Sequence, residues 1–275
     1  MSELVSTAWL AEHLADVRVV DASWYMPDEK RQPAREFEVA HIPGAVFFDI
    51  DGIADRSGGL PHMLPAPEEF SKAVGALGIG DGDTVVVYDG SGIFSAPRVW
   101  WTFKAMGHDR VRVLDGGLPK WTREGRPVES GPAHPRKATF AAELKPAMVK
   151  GFDAVMDIVA HGGAQMVDAR SASRFTAQEP EPRAGVRGGH MPGAINVHYR
   201  KLIAQDGTLK PPADLRAAFS QVDPARPVVT TCGSGLTAAI LMLALGEIGK
   251  TDVALYDGSW TEWGARPEAP VVTGA

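Results

Sequence analysis

Cysteine is almost absent from this chain: 275 residues contain one, Cys232. One cysteine excludes an intrachain disulfide and fits a reducing compartment, so the cytoplasm is the expected location. There is no run of about 18 apolar residues and no basic-then-apolar leader pattern, so no membrane attachment is expected. Basic charge is also in short supply. With 28 Lys and Arg against 34 Asp and Glu, the net charge is −6, which gives no cationic footprint for nucleic acid. No set of His, Cys, Asp and Glu has metal-ligand spacing, so neither a metal nor an organic cofactor is expected. Low-complexity tracts are missing as well. What remains, 44% hydrophobic and 23% charged residues, is ordinary globular composition, sufficient for two cores.

The lone cysteine has an informative setting. The β-branched run Val228-Val229-Thr230-Thr231 leads into Cys232, and Gly233-Ser234-Gly235-Leu236-Thr237 follows. An apolar segment then continues to Gly246. The pattern predicts strand, tight loop, helix. Such a loop directs backbone N–H groups and the positive end of a helix at the thiol, which favours the thiolate. An isolated cysteine is more commonly an inert core residue. Here it stands where a parallel sheet places its ligands.

The chain also repeats itself. His41-Ile42-Pro43-Gly44-Ala45 returns as His190-Met191-Pro192-Gly193-Ala194, and Val20-Asp21-Ala22 as Val167-Asp168-Ala169. Tyr88-Asp89-Gly90-Ser91-Gly92 aligns with Thr231 to Gly235, and Asp115-Gly116-Gly117 with Asp257-Gly258-Ser259. Four matches in order, at nearly one offset, indicate tandem duplication of a domain-sized unit. Strands and helices alternate in each copy, which argues an α/β fold with a parallel sheet and helices on both faces. Residues 1–128 form the first expected domain, 129–146 a Pro-rich linker and 147–275 the second domain. The glycine of each His-x-Pro-Gly-Ala turn is expected at positive φ. Its histidine is expected to be structural, since both copies carry it. The copies differ at one decisive place: Asp89 stands where the second has Cys232. A carboxylate cannot accept sulfur, so the first domain is expected to serve structure and to wall a cleft, with Trp24 and Tyr25 as candidates for that wall.

Three loop chemistries compete at Cys232. A cysteine phosphatase requires Cys-x5-Arg to hold a phosphate dianion; the sixth residue onward is Ala238, so that reading fails. Gly233 to Ala238 also fits the dinucleotide turn G-x-G-x-x-A, with Asp257 ending the next strand, which leaves a nicotinamide-dependent oxidoreductase as an alternative. The third chemistry is sulfur transfer, in which the thiolate becomes a persulfide held by N–H donors.

Cys-Gly-Ser-Gly-Leu-Thr-Ala resembles the active loop of the two-domain rhodanese-like sulfurtransferases, most closely their 3-mercaptopyruvate branch, which usually has Val at the Leu236 position. The thiosulfate branch has two basic residues where this chain has Gly233 and Ser234. The resemblance implies a tandem pair of rhodanese-like domains, of which the second is catalytic. It also implies a Cys232 persulfide cradled by Gly233, Gly235, Leu236 and Thr237. Arg174 and Arg183 are implied as the clamp for the donor's carboxylate and carbonyl, and Asp49, His62 and Ser234 as a polar chain that manages protons. Arg170 and Arg187 are expected in salt bridges or on the surface. The implied donor is 3-mercaptopyruvate, and the implied acceptor is a small thiol, cyanide or a thioredoxin-like protein. Thiosulfate transfer on the same fold and a non-enzymatic persulfide carrier are the further alternatives.

Overall fold

A computed structural model describes residues 2–274. The chain forms two compact units. Unit 1 comprises the residues through Asp55, Leu64–Lys145 and Ile203–Leu209; unit 2 comprises Arg56–Met63, Pro146–Leu202 and the residues from Lys210 onward. Among the described residues no helix is long and apolar enough to cross a membrane.

In chain order unit 1 holds β1 (Leu4–Val5), α1 (Thr7–His13), β2 (Arg18–Asp21), α2 (Pro33–Val39), β3 (Val46–Phe47) and α3 (Ile50–Ile53). It continues with α4 (Pro67–Ala76), β4 (Val85–Tyr88), α5 (Ala96–Ala105), β5 (Val111–Leu114) and α6 (Gly117–Arg123). Unit 2 holds β6 (Val149–Lys150), α7 (Phe152–His161), β7 (Gln165–Asp168), α8 (Ala172–Phe175) and β8 (Ile195–Asn196). After these come α9 (Pro212–Ala218), β9 (Val228–Thr231), α10 (Ala238–Glu247), β10 (Val253–Tyr256) and α11 (Ser259–Trp263).

Each unit builds one five-stranded sheet with all pairings parallel, in the orders β1-β5-β4-β2-β3 and β6-β10-β9-β7-β8. The central strands β4 and β9 are short β-branched runs buried at every position. A sheet covered on both faces requires such runs in place of alternation. Helix α10 agrees: Ala238 through Leu245 are all buried, so it is apolar around its whole circumference.

The His-x-Pro-Gly-Ala turn has the same geometry twice. His41 Nδ1 lies 2.7 Å from the Phe37 carbonyl and its ring stacks on Phe37; His190 Nδ1 lies 2.8 Å from the Phe175 carbonyl and stacks on Phe175. Gly44 and Gly193 both have φ +74, the left-handed region expected of them. Residues 129–145 lie along unit 1: Phe140 is buried, Ala138 N–H donates to Gly75 O, and Lys145 N–H donates to Ala105 O.

Register sets the site. Asp21 is paired with Tyr88, and Asp168 with Thr231. The loops that leave β7 and β9 therefore start side by side at the carboxyl edge of the second sheet, the usual position for ligand chemistry in parallel α/β folds.

Candidate active site

Cys232 follows β9 and is 2% exposed. Its backbone is fixed on both sides. The N–H donates to Ser259 Oγ at 3.2 Å, and the carbonyl accepts from Trp260 N at 3.0 Å. Ser259 Oγ in turn donates to the Tyr256 carbonyl at 2.8 Å. Ser259 has φ +49, while its counterpart Gly117 has φ +53. The left-handed region costs a residue with a Cβ about 1–2 kcal/mol. The second copy tolerates a serine there, and that serine holds the cysteine's own peptide.

Downstream of Cys232, Gly235 turns the loop at φ +77, Leu236 is buried, and Thr237 is the N-cap of α10. The two copies differ in their N–H donors. In unit 1, four of them converge on the Asp89 carboxylate: Ser91 N at 2.8 Å, Phe94 N at 2.8 Å, Ser95 N at 2.9 Å and Ala96 N at 2.9 Å. The first copy thus retains an anion cradle and fills it with its own side chain. In unit 2 the N–H groups of Ser234, Leu236, Thr237 and Ala238 donate to no protein acceptor among the described residues. A cysteine replaces the internal anion, and the donors stay available to a charge that arrives.

Ser234 meets His62. His62 Nδ1 lies 3.1 Å from Ser234 Oγ and 3.4 Å from its carbonyl oxygen. His62 is 5% exposed and has φ +60, a conformation that persists in a non-glycine residue only when its surroundings impose it. Residues 56–63 belong to unit 2, although they lie in the first repeat of the sequence. Asp49 belongs to unit 1 and acts locally there. Its side chain caps α3, accepting from Gly52 N at 2.9 Å.

The two arginines of the implied clamp approach Gly233 in different ways. Arg183 Nη1 donates to Thr261 Oγ1 at 3.4 Å, and that hydroxyl donates to the Gly233 carbonyl at 2.6 Å. Arg174 lies against the loop itself: a Cβ placed on Gly233 would be 3.1 Å from its Nη2. Its Nε and Nη2 are engaged by Glu181 at 3.3 and 2.5 Å.

Two residues gain a role that the sequence did not reveal. Arg170 was expected in a salt bridge or on the surface, and the salt bridge holds, but its side chain is 1% exposed. Its Nη2 reaches Asp168 at 2.6 Å and the Gly189 carbonyl at 2.8 Å, its Nη1 reaches Glu181 at 2.8 Å, and it lies over the Trp260 ring. Glu181 is shared between Arg170 and Arg174. Arg187 binds carbonyls in place of carboxylates, those of Trp263, Gly264, Arg266 and Ala269. Nearby His198 is held below the usual imidazole range by burial, and then by the positive charges of Arg200, Lys201 and Arg174.

Two stretches, residues 6–124 and 152–266, match the Rhodanese-like domain. The chain belongs to the rhodanese-like family. This rhodanese-like protein is 45% identical to the 3-mercaptopyruvate sulfurtransferase of Homo sapiens, over 98% of this chain and 95% of the relative. It is 42% identical to that of Escherichia coli strain K12, over 97% and 96%. Thiosulfate sulfurtransferase from Rattus norvegicus is 43% identical, over 98% and 95%. The crystal structure of SseA from Escherichia coli, described as a 3-mercaptopyruvate sulfotransferase with the rhodanese fold, superimposes with a TM-score of 0.87 at 40% identity. It covers 94% of this chain and 99% of its own.

Proposed function

We propose that this rhodanese-like protein transfers sulfur from 3-mercaptopyruvate to a thiophilic acceptor through a persulfide on Cys232. One observation carries the reading. The loop that Asp89 fills in the first copy is open in the second, and the residue at its mouth is a nucleophile. Relatives at 42–45% identity that bear the name 3-mercaptopyruvate sulfurtransferase support the choice of donor.

The Cys232 thiolate attacks the donor sulfur. An S–S bond forms, the donor's C–S bond breaks, and its electron pair leaves in the enolate of pyruvate. A proton delivered to the methylene carbon completes pyruvate. We assign this delivery to His62 with Ser234, and the hydrogen-bond distance between one imidazole nitrogen and the hydroxyl supports the assignment. The persulfide's outer sulfur is a soft anion, and the loop N–H groups offer it donors without a fixed cation. Arg174 and Arg183 hold the donor's carboxylate and carbonyl, since guanidinium forks match planar carboxylates. A small thiol, cyanide or a thioredoxin-like protein then removes the outer sulfur and restores the thiolate.

The test is Cys232→Ser. Serine is near in shape and far less nucleophilic, so pyruvate release should fall to background while the melting temperature stays near wild type. Intact mass after donor treatment should show one added sulfur on the wild type and none on the variant. Sulfur transfer that survives the substitution would end the proposal.

A further inference from the structure

Glu181 joins two guanidinium groups of unequal burial. Its side chain is 4% exposed; that of Arg170 is 1% exposed and that of Arg174 19%. From the sheet outward the contacts run in one line. Asp168 ends β7 and fixes Arg170 at Nε and Nη2. Arg170 Nη1 fixes Glu181 Oε1, and Glu181 takes the Nε and Nη2 edge of Arg174. Arg174 ends against Gly233, where a Cβ would lie 3.1 Å from Nη2 and 3.8 Å from Nη1. Nη1 has no protein partner among the described residues. One edge of the guanidinium is thus anchored to the core, and an unpartnered nitrogen lies beside the reactive loop.

A neutral cluster of two carboxylates and two guanidiniums is not needed for stability. Buried ion pairs are often replaceable by apolar residues at no loss. What this arrangement does supply is aim. A free arginine samples many rotamers, and ordering it on substrate costs affinity. An arginine already held by a fork has most of that ordering done in advance.

We propose that Glu181 is the positioning residue that aims Arg174 at the donor's carboxylate; this rests on the reading of Arg174 as part of the carboxylate clamp. Two alkylating agents separate the roles. Bromopyruvate has the donor's skeleton with bromine in place of sulfur, and bromoacetone lacks only the carboxylate. With either, a Cys232 S–C bond forms and bromide leaves. Cys232 is the only cysteine, so intact mass reads the rate directly.

In the wild type the ratio of bromopyruvate to bromoacetone rates measures the clamp. Arg174→Ala and Glu181→Gln should each lower this ratio roughly 10-fold, with the bromoacetone rate unchanged. The double variant should fall no further than Arg174→Ala alone. In turnover, Glu181→Gln should raise KM for 3-mercaptopyruvate more than it lowers kcat. If Arg174→Ala keeps the wild-type ratio, the clamp reading fails. If Arg174→Ala lowers the ratio and Glu181→Gln does not, the clamp stands and the positioning role fails. Equal loss with both reagents in Glu181→Gln would mark general damage to the loop and overturn the positioning role as well. Should Glu181→Gln not fold, Glu181→Asp keeps the charge on Arg170 and shortens the reach to Arg174; a wild-type ratio in that variant overturns the proposal.

Discussion

Gly233 is small because the space beside it is taken. The Arg174 Nη2 atom would lie 3.1 Å from any Cβ placed there, closer than ordinary van der Waals contact. The neighbour is the tip of a flexible side chain, so it can yield, but only by leaving the position Glu181 gives it. Gly233→Ala should therefore leave the fold intact and misplace the guanidinium. A penalty of about 1 kcal/mol from crowding corresponds to a loss of roughly fivefold in kcat/KM for 3-mercaptopyruvate, with neutral alkylation of Cys232 unaffected. A kcat/KM equal to wild type would show that Arg174 moves aside without consequence. An arginine at 233 would add repulsion to crowding, because two guanidiniums would compete for one space. None of this was legible in the sequence. Arg170, Arg174 and Glu181 come from one polar stretch, part of which forms α8, and nothing in its composition signals the burial of Arg170 and Glu181. Their burial comes from Asp168, Gly189 and Trp260, the last of them far along the chain.

At the scale of the element, strand, loop and helix recur as one device with two fillings. The runs that became β4, β9 and β10 were readable because four consecutive buried positions leave a strong β-branched and apolar signal. The two-residue edge strands β1 and β6 were not, since two residues carry no period. The loop's function was readable from a contiguous motif. Its donor geometry became visible only through the first copy, where Asp89 accepts four N–H groups. Asp89→Ala should cost about 3 kcal/mol or more of stability, since hydrogen bonds to a charged group contribute about 1.5–3 kcal/mol each and their loss strands buried donors. Millimolar to molar formate should restore part of the lost melting temperature in that variant, beyond any effect on the wild type. An Asp89→Ala protein as stable as its parent would show that the four contacts are incidental.

At the scale of the molecule, the two copies share one frame and differ at the head of the loop, Asp89 in one and Cys232 in the other. The repeated histidine turn and the repeated alternation of strands and helices were both foreseeable from sequence; the order of strands within each sheet was not. The exchange of segments was not: residues 56–63, with His62, pack in unit 2, and residues 203–209 pack in unit 1. Sequence repeats locate copies, but packing alone decides which copy a loop joins. The whole active loop bears no cation of its own, and Arg174 and Arg183 suit a carboxylate. The protein should thus prefer 3-mercaptopyruvate over thiosulfate by at least about tenfold in kcat/KM, or ~1.4 kcal/mol, with cyanide as common acceptor. A preference for thiosulfate would overturn the choice of donor and leave the fold untouched.

The filled cradle of the first copy also has a direction in time. Asp89 accepts from four donors, so a replacement without an acceptor oxygen begins by stranding them. A reactive residue introduced at this position would first lower stability and gain nothing until the rest of a site exists around it. The carboxylate works as a ratchet: while it fills the loop, the surface of the first copy can vary freely, but a nucleophile cannot take its place without a loss of stability.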